Sequence, residues 1–225
     1  LELAETLWYP TDEQLAKAYG DDILRVSGSV GVGSIKGWDG KKAVHIANYS
    51  KRTQRIVAQG NLRTVVDVIV SDWKYEKKTF GMKARYILYA GHRDVEVNII
   101  FSPELKEEIT LATGVQKLPD SQMFTDNEGL IGVWGTDFPV NDTIKYAKQT
   151  VGLGVVVPLQ YVKQQLTDKV NNLVLLKNNE GRFIKYYFTA AAMKEEKGCK
   201  SANDFFAYML QWKKDVLNPL LIKIE

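Results

Sequence analysis

Three successive runs, 62–70, 82–89 and 94–101, alternate apolar and polar side chains with the two-residue period of a β-strand that has one wetter face. In the first, Arg63, Val65, Asp67 and Ile69 share one side, and Thr64, Val66, Val68 and Val70 share the other. In the second, Lys83, Arg85, Ile87 and Tyr89 fall together. In the third, Val95, Val97, Ile99 and Phe101 form the apolar set and Asp94, Glu96 and Asn98 the polar one. Further strand-like runs occur at 22–26, 109–114, 130–134, 150–157, 173–177 and 183–189, with turn signals such as 118–121, 126–129 and 178–181 between them. The glycine-rich segment 28–37 fits neither a phosphate loop nor a dinucleotide fingerprint. Its alternating Val30, Val32 and Ile35 predict a strand close to another backbone, and Trp38-Asp39-Gly40 predicts a hairpin turn. Strands at roughly ten- to twenty-residue spacing without intervening helices predict an all-β, antiparallel β-sandwich, a single domain over 1–225.

Helical patterning is confined to the two ends. Thr11-Asp12-Glu13-Gln14 has the form of a capping box and opens a short helix over 12–19. Ser201-Ala202-Asn203-Asp204 resembles the same box with Asp for Glu, and Phe205, Met209, Trp212 and Val216 follow as one apolar stripe. Pro219 stops that helix, and 220–224 reads as a closing strand.

Composition narrows the class without naming an activity. The 225 residues are 45% hydrophobic and 25% charged, which suits a globular chain able to bury a core. A net charge of +3, with no basic face, gives no footing for nucleic acid. No run of about 18 apolar residues exists to form a membrane span. A single cysteine, Cys199, leaves no internal disulfide, and its loop-like setting supplies no general base.

Candidate chemistry is sparse. With only His45 and His92, and no HExxH or HxH spacing, a histidine-rich zinc site cannot form, and no metal ligands are assigned. His92 stands at a strand turn beside Asp94, an arrangement suited to acid–base work, and His45 is the second candidate. Arg63 and Asp67, four apart in a strand, point to one face at roughly 13 Å, too far to pair directly. They therefore have cross-strand partners or line a groove for an elongated polar ligand. Arg85 and Tyr89 share the corresponding side of the next run. Trp38, Trp73 and Trp134 sit at or near strand ends, where aromatic rings could stack on sugars, although core packing and turn anchoring are the commoner roles of such residues.

The run GSIKGWDGKKAVHIANYSKRTQRIVAQGNLRTVVDVIVSDW, with its tryptophan–glycine–lysine turn, Asn-Tyr pair and Gly-x-x-Arg-Thr strand, resembles the bacterial family called domain of unknown function 4861. The segments ARYILYAGHRDVEV and KSANDFFAYMLQWKKDVLNPLLIKI extend the likeness collinearly over most of 29–224. The resemblance implies a mutarotase-like supersandwich, export to the periplasm or cell exterior, and a Bacteroidetes setting of pectin or ulvan breakdown. Uronate-containing oligosaccharides are the implied partner. Lyase, hydrolase or dehydratase action is the implied activity, with a non-catalytic binding or structural module as the alternative. Family members run longer at the amino end, so a preceding His- and Asp-containing segment is expected to complete the natural chain. Arg63 and Asn48 match positions of the family pattern; with Arg85, Asp67, Trp38 and Tyr89 they form the expected binding set, and His92 and His45 the expected catalytic pair.

Overall fold

Alternation becomes two antiparallel sheets, packed face to face. The computed structural model describes residues 23–139, 143–144, 146–178 and 183–219. The expected helix 12–19 and closing strand 220–224 lie outside them. Among the described residues thirteen strands form in chain order: β1 Lys36–Trp38, β2 Ala43–Val44, β3 Lys51–Gln59, β4 Arg63–Tyr75, β5 Lys78–Tyr89, β6 Asp94–Ser102, β7 Thr110–Gln116, β8 Gln122–Thr125, β9 Leu130–Asp137, β10 Gln149–Val156, β11 Val162–Thr167, β12 Asn171–Lys177 and β13 Phe183–Ala192. The larger sheet has the order β3-β4-β5-β6-β13-β10-β9-β8, and the smaller β11-β12-β7-β1-β2. One α-helix is present among the described residues, α1, spanning Ala202–Leu217. The architecture is the antiparallel β-sandwich expected.

The central core lies between the sheets. Val97, Ile99 and Phe101 of β6, Ile131 and Val133 of β9, Val151, Leu153 and Val155 of β10, and Leu111 and Val115 of β7 meet there with almost no exposed surface. The predicted apolar set of the third run is thus the inward face of β6. The β4–β5 hairpin turns on Glu76 and Lys77, both left-handed at φ 49° and 62°. That pair of conformations matches the right-handed twist of the flanking strands.

A bulge between Val70 and Trp73, with Asp72 at φ 51°, reverses the side on which β4 presents its later residues. Trp73 consequently turns inward, 2% exposed, and stacks on Tyr75 at 4.6 Å. Strict alternation would have placed it with Arg63 and Asp67. Of the two readings of Trp73 and Trp134, core packing and ring stacking at a strand end, core packing holds. Both are core residues, Trp134 lying in mid-β9 against Phe205 of α1 at 5.7 Å.

Three other expectations change. Residues 23–26 form no strand; the chain turns there, Ser29 N–H donating to the Val26 carbonyl at 3.2 Å. Strands β8 and β11 are sheet edges with little burial, so they carry no hydrophobic alternation to read. Residues 28–35 run alongside β7, as a close approach predicts, but only through a Val32–Val115 bridge and bonds such as Gly33 N–H to the Gly114 carbonyl at 2.8 Å.

A second, smaller core joins α1 to the outer face of the larger sheet. Phe205, Met209 and Trp212 pack on Leu130, Trp134, Val156, Tyr187 and Ala191. The helix begins at Ser201, whose Oγ accepts from Asp204 N–H at 3.1 Å, while Asp204 Oδ2 accepts from Lys200 N–H at 3.2 Å. Its approach requires Gly132 and Gly152: a Cβ at Gly152 would stand 2.7 Å from the Phe205 ring, and one at Gly132 2.3 Å from Met209 Sδ.

Candidate polar sheet-face site

The outer face of the larger sheet carries most of the chemistry seen in the sequence. Register fixes its rows. Asp67 lies opposite Arg85, Arg85 opposite Asn98, and Asn98 opposite Lys185. One row on, Val65, Ile87, Glu96 and Tyr187 align, and beyond them Arg63 faces Tyr89. The helix stands against β9, β10 and β13 at one end of this face. Between α1 and strands β5, β6 and β13 opens a cleft of 680 Å³, lined by Tyr89, His92, Asp94, Glu96, Lys185, Tyr187, Tyr208 and Trp212 among others. That volume is within the usual range of small-ligand sites.

Asp67 anchors the polar rows. Its side chain has no exposed surface, and Arg85 grips it in a fork, Nε to Oδ1 at 2.7 Å and Nη2 to Oδ2 at 3.0 Å. Arg55 adds a looser contact at 3.6 Å. The Arg85 hydrogen bonds hold the Asp67 carboxyl below the usual carboxylate range despite burial, and Asp67 in turn raises Arg85. Arg85 thus spends its fork on the sheet. Arg63, one strand end further, is exposed and has no ion-pair partner among the described residues.

Within the cleft, titratable groups touch one another. His92, at the β5–β6 turn beside left-handed Gly91, places Nδ1 3.1 Å from Asp94 Oδ1 and its ring 5.8 Å from Tyr89. Lys185 Nζ lies 3.1 Å from Glu96 Oε1, which also accepts from Asn98 Nδ2 at 2.8 Å. Burial works to lower Lys185, but Glu96 and Tyr187 outweigh it, so its pKa rises and the ammonium is retained. Burial raises the Tyr187 phenol, with Lys185 opposing, and so keeps it protonated at neutral pH. On the opposite wall Tyr208 and Trp212 lie almost parallel, 8° apart, and Arg93 sits 5.9 Å over Tyr208 while pairing with Glu195 at 2.7 Å.

The expected site residues therefore divide. Arg63, Asp67, Arg85, Tyr89 and His92 come together on this face. Trp38, His45 and Asn48 do not; they belong to β1 and to the connection from β2 to β3. Trp38 is half-buried with its backbone N–H bonded to Tyr75 Oη at 2.6 Å, and the Asn48 carbonyl accepts from Lys74 N–H at 2.9 Å. His45 Nδ1 meets Lys36 Nζ at 2.8 Å in a separate pocket between the sheets. Lys185, Tyr187 and Tyr208 were missed by sequence reading, although Lys185 and Tyr187 share a side of the 183–189 run that alternation could have flagged. Cys199 packs beside the second core, where burial raises its thiol. No three His, Cys, Asp or Glu side chains gather as metal ligands among the described residues. Nor is any helix there long and apolar enough to cross a membrane.

These features define an antiparallel β-sandwich with a polar, aromatic-walled cleft on the outer face of its larger sheet. The chain belongs to the family described as Domain of unknown function (DUF4861), whose model matches residues 1–222. No curated protein and no solved structure matches it.

Proposed function

We propose that this sheet face binds uronate-containing oligosaccharides, of the kind found in pectin or ulvan, and that the protein acts on them after export to the periplasm or beyond. The observation that carries this reading is the cleft itself. It combines Tyr89, Tyr187 and Tyr208 as flat surfaces for sugar rings with Lys185 as a retained cation, and Arg63 stands across from Tyr89 at its margin. Arg63 and Lys185 are the cations assigned to uronate carboxylates, through charge-assisted bonds. Arg85 is assigned to holding Asp67 in place.

Elimination, by a lyase or dehydratase, fits the groups better than hydrolysis. The carboxylates nearest the cleft floor, Asp94 and Glu96, are already engaged by His92 and by Lys185 and Asn98. Elimination instead needs a cation to neutralise the sugar carboxylate, a base for the proton beside it, and an acid for the leaving oxygen. In this reading Arg63 and Lys185 serve the first need, His92 held by Asp94 the second, and Tyr187 the third.

The experiment is calorimetry with galacturonate oligomers and with uncharged oligomers of equal length, together with ultraviolet detection of unsaturated uronate products. Uronate binding that weakens about tenfold in Arg63→Ala and in Lys185→Met, one lost charge-assisted bond each, is the expected result. Unchanged affinity in both variants would remove these cations from the site. The engagement of every acid at the cleft floor also favours a second reading, a non-catalytic binding module, identified by binding without product.

A further inference from the structure

We propose that Lys36 is a carbonyl-reactive amine, and that the pocket between the sheets admits small oxo acids, capturing their carbonyl as an imine on Lys36 while Arg52 holds the carboxylate. This site is separate from the outer face and does not depend on the function proposed for it. The pocket encloses 300 Å³, enough for a small metabolite, and is bordered by both sheets. Lys36 reaches it from β1, His45 from beyond β2, Arg52 from β3 and Tyr86 from β5. His45 and Arg52 are exposed, whereas Lys36 is only 8% exposed. Among the described residues no Asp or Glu lines the pocket, and neither Lys36 nor Arg52 has an ion-pair partner. A buried lysine is ordinarily tied to a carboxylate; this one has instead the His45 imidazole, Nζ to Nδ1 at 2.8 Å.

Two consequences follow for the amine. Burial without a counter-ion lowers the Lys36 pKa, which raises the fraction carrying a free lone pair at neutral pH. Its hydrogen-bond partner is an imidazole, whose two ring nitrogens can accept and donate a proton. Imine formation needs both properties. The Lys36 nitrogen adds to the carbonyl carbon, the carbonyl oxygen takes a proton to become a hydroxyl, and the nitrogen then expels that hydroxyl as water. One water leaves for each imine formed, no electrons are exchanged, and His45 is placed to relay the protons. Arg52 supplies the selectivity. It lies opposite the inward-facing Val70 and lines the pocket, and its charge opposes the rise that burial gives the Tyr86 phenol. With no acid among the described residues to compensate it, the pocket favours a carbonyl compound that carries its own carboxylate.

Reductive trapping of the full chain at pH 7 tests this, with glyoxylate as the oxo acid, glycolaldehyde as its uncharged counterpart, cyanoborohydride as reductant, and peptide mass mapping as readout. Lys36 is expected to reach half-labelling with either aldehyde at a lower concentration than the exposed Lys41 and Lys42, since its lowered pKa leaves more free amine, and with glyoxylate at a concentration about tenfold below that for glycolaldehyde, the worth of one charge-assisted bond to Arg52. Arg52→Gln should abolish the preference for glyoxylate over glycolaldehyde while leaving glycolaldehyde labelling of Lys36 unchanged. The latter result also shows the pocket to be intact. Labelling of Lys36 no faster than of Lys41 and Lys42 would overturn the reactive amine. Equal response to both aldehydes in the unaltered chain would overturn recognition of the carboxylate.

Discussion

Asp67 concentrates the electrostatics of the outer face in one fully buried carboxylate. Its folded pKa is depressed, chiefly by the Arg85 hydrogen bond, below an unfolded value of about 3.9. The stabilisation is therefore complete above that unfolded value and fades as pH falls through the folded one. Asp67→Asn should cost about 2 kcal/mol at pH 7, less than a fully buried pair because Arg85 keeps about a third of its side chain in solvent. Urea unfolding at pH 7 and at pH 3 checks it: the gap between variant and parent should narrow in acid. A gap of equal size at both values would mean that shape, not charge, carries the loss. Alternation alone put Arg63, Asp67, Arg85 and Tyr89 on one side of their strands. It could not show that Arg85 belongs to Asp67, because that pairing follows from the register of a hairpin whose turn residues, Glu76 and Lys77, carry no Gly or Asn signal.

At the scale of elements, α1 is the wall that makes a cleft out of a flat sheet face. It was readable because two independent signals agreed, a Ser201–Asp204 cap and an apolar stripe at helical spacing. Its destination was not readable. Gly132 and Gly152 look like weak points in strands, yet they are where the helix seats Met209 and Phe205. Gly152→Val should displace Phe205 and cost about 1–3 kcal/mol, as overpacking does. Ser201→Ala removes the cap for about 1 kcal/mol without touching the seat. Thermal unfolding measures both losses, and oligosaccharide affinity separates them: Gly152→Val should weaken binding because the wall moves, while Ser201→Ala should leave it unchanged. Equal affinities in the two variants would show that α1 does not shape the cleft. Strands behaved in the same divided way. Those with a buried face, such as β6 and β10, announced themselves, whereas the polar edge strands β8 and β11 did not.

Across the whole molecule, the larger sheet separates two chemical environments by its own thickness. Its outer face holds cations mostly matched by acids, in the rows of Asp67 with Arg85 and Glu96 with Lys185. The pocket on its inner side holds Lys36, His45 and Arg52 with no acid lining it among the described residues. Strand periodicity produces this division, since neighbours such as Arg85 and Tyr86 point to opposite faces and so belong to different sites. Sites on opposite faces of a packed sheet, with no shared side chain, should act independently, as mutational effects do beyond about 7–10 Å. Protein fully trapped with glyoxylate at Lys36 should then bind galacturonate oligomers with the affinity of untreated protein. Calorimetry on trapped and untreated samples makes the comparison, with Arg63→Ala as the control that should weaken binding in both. Loss of oligomer binding on trapping alone, with the thermal unfolding midpoint preserved, would mean that the inner pocket is the oligosaccharide site, and that Arg63 and Lys185 serve the sheet instead.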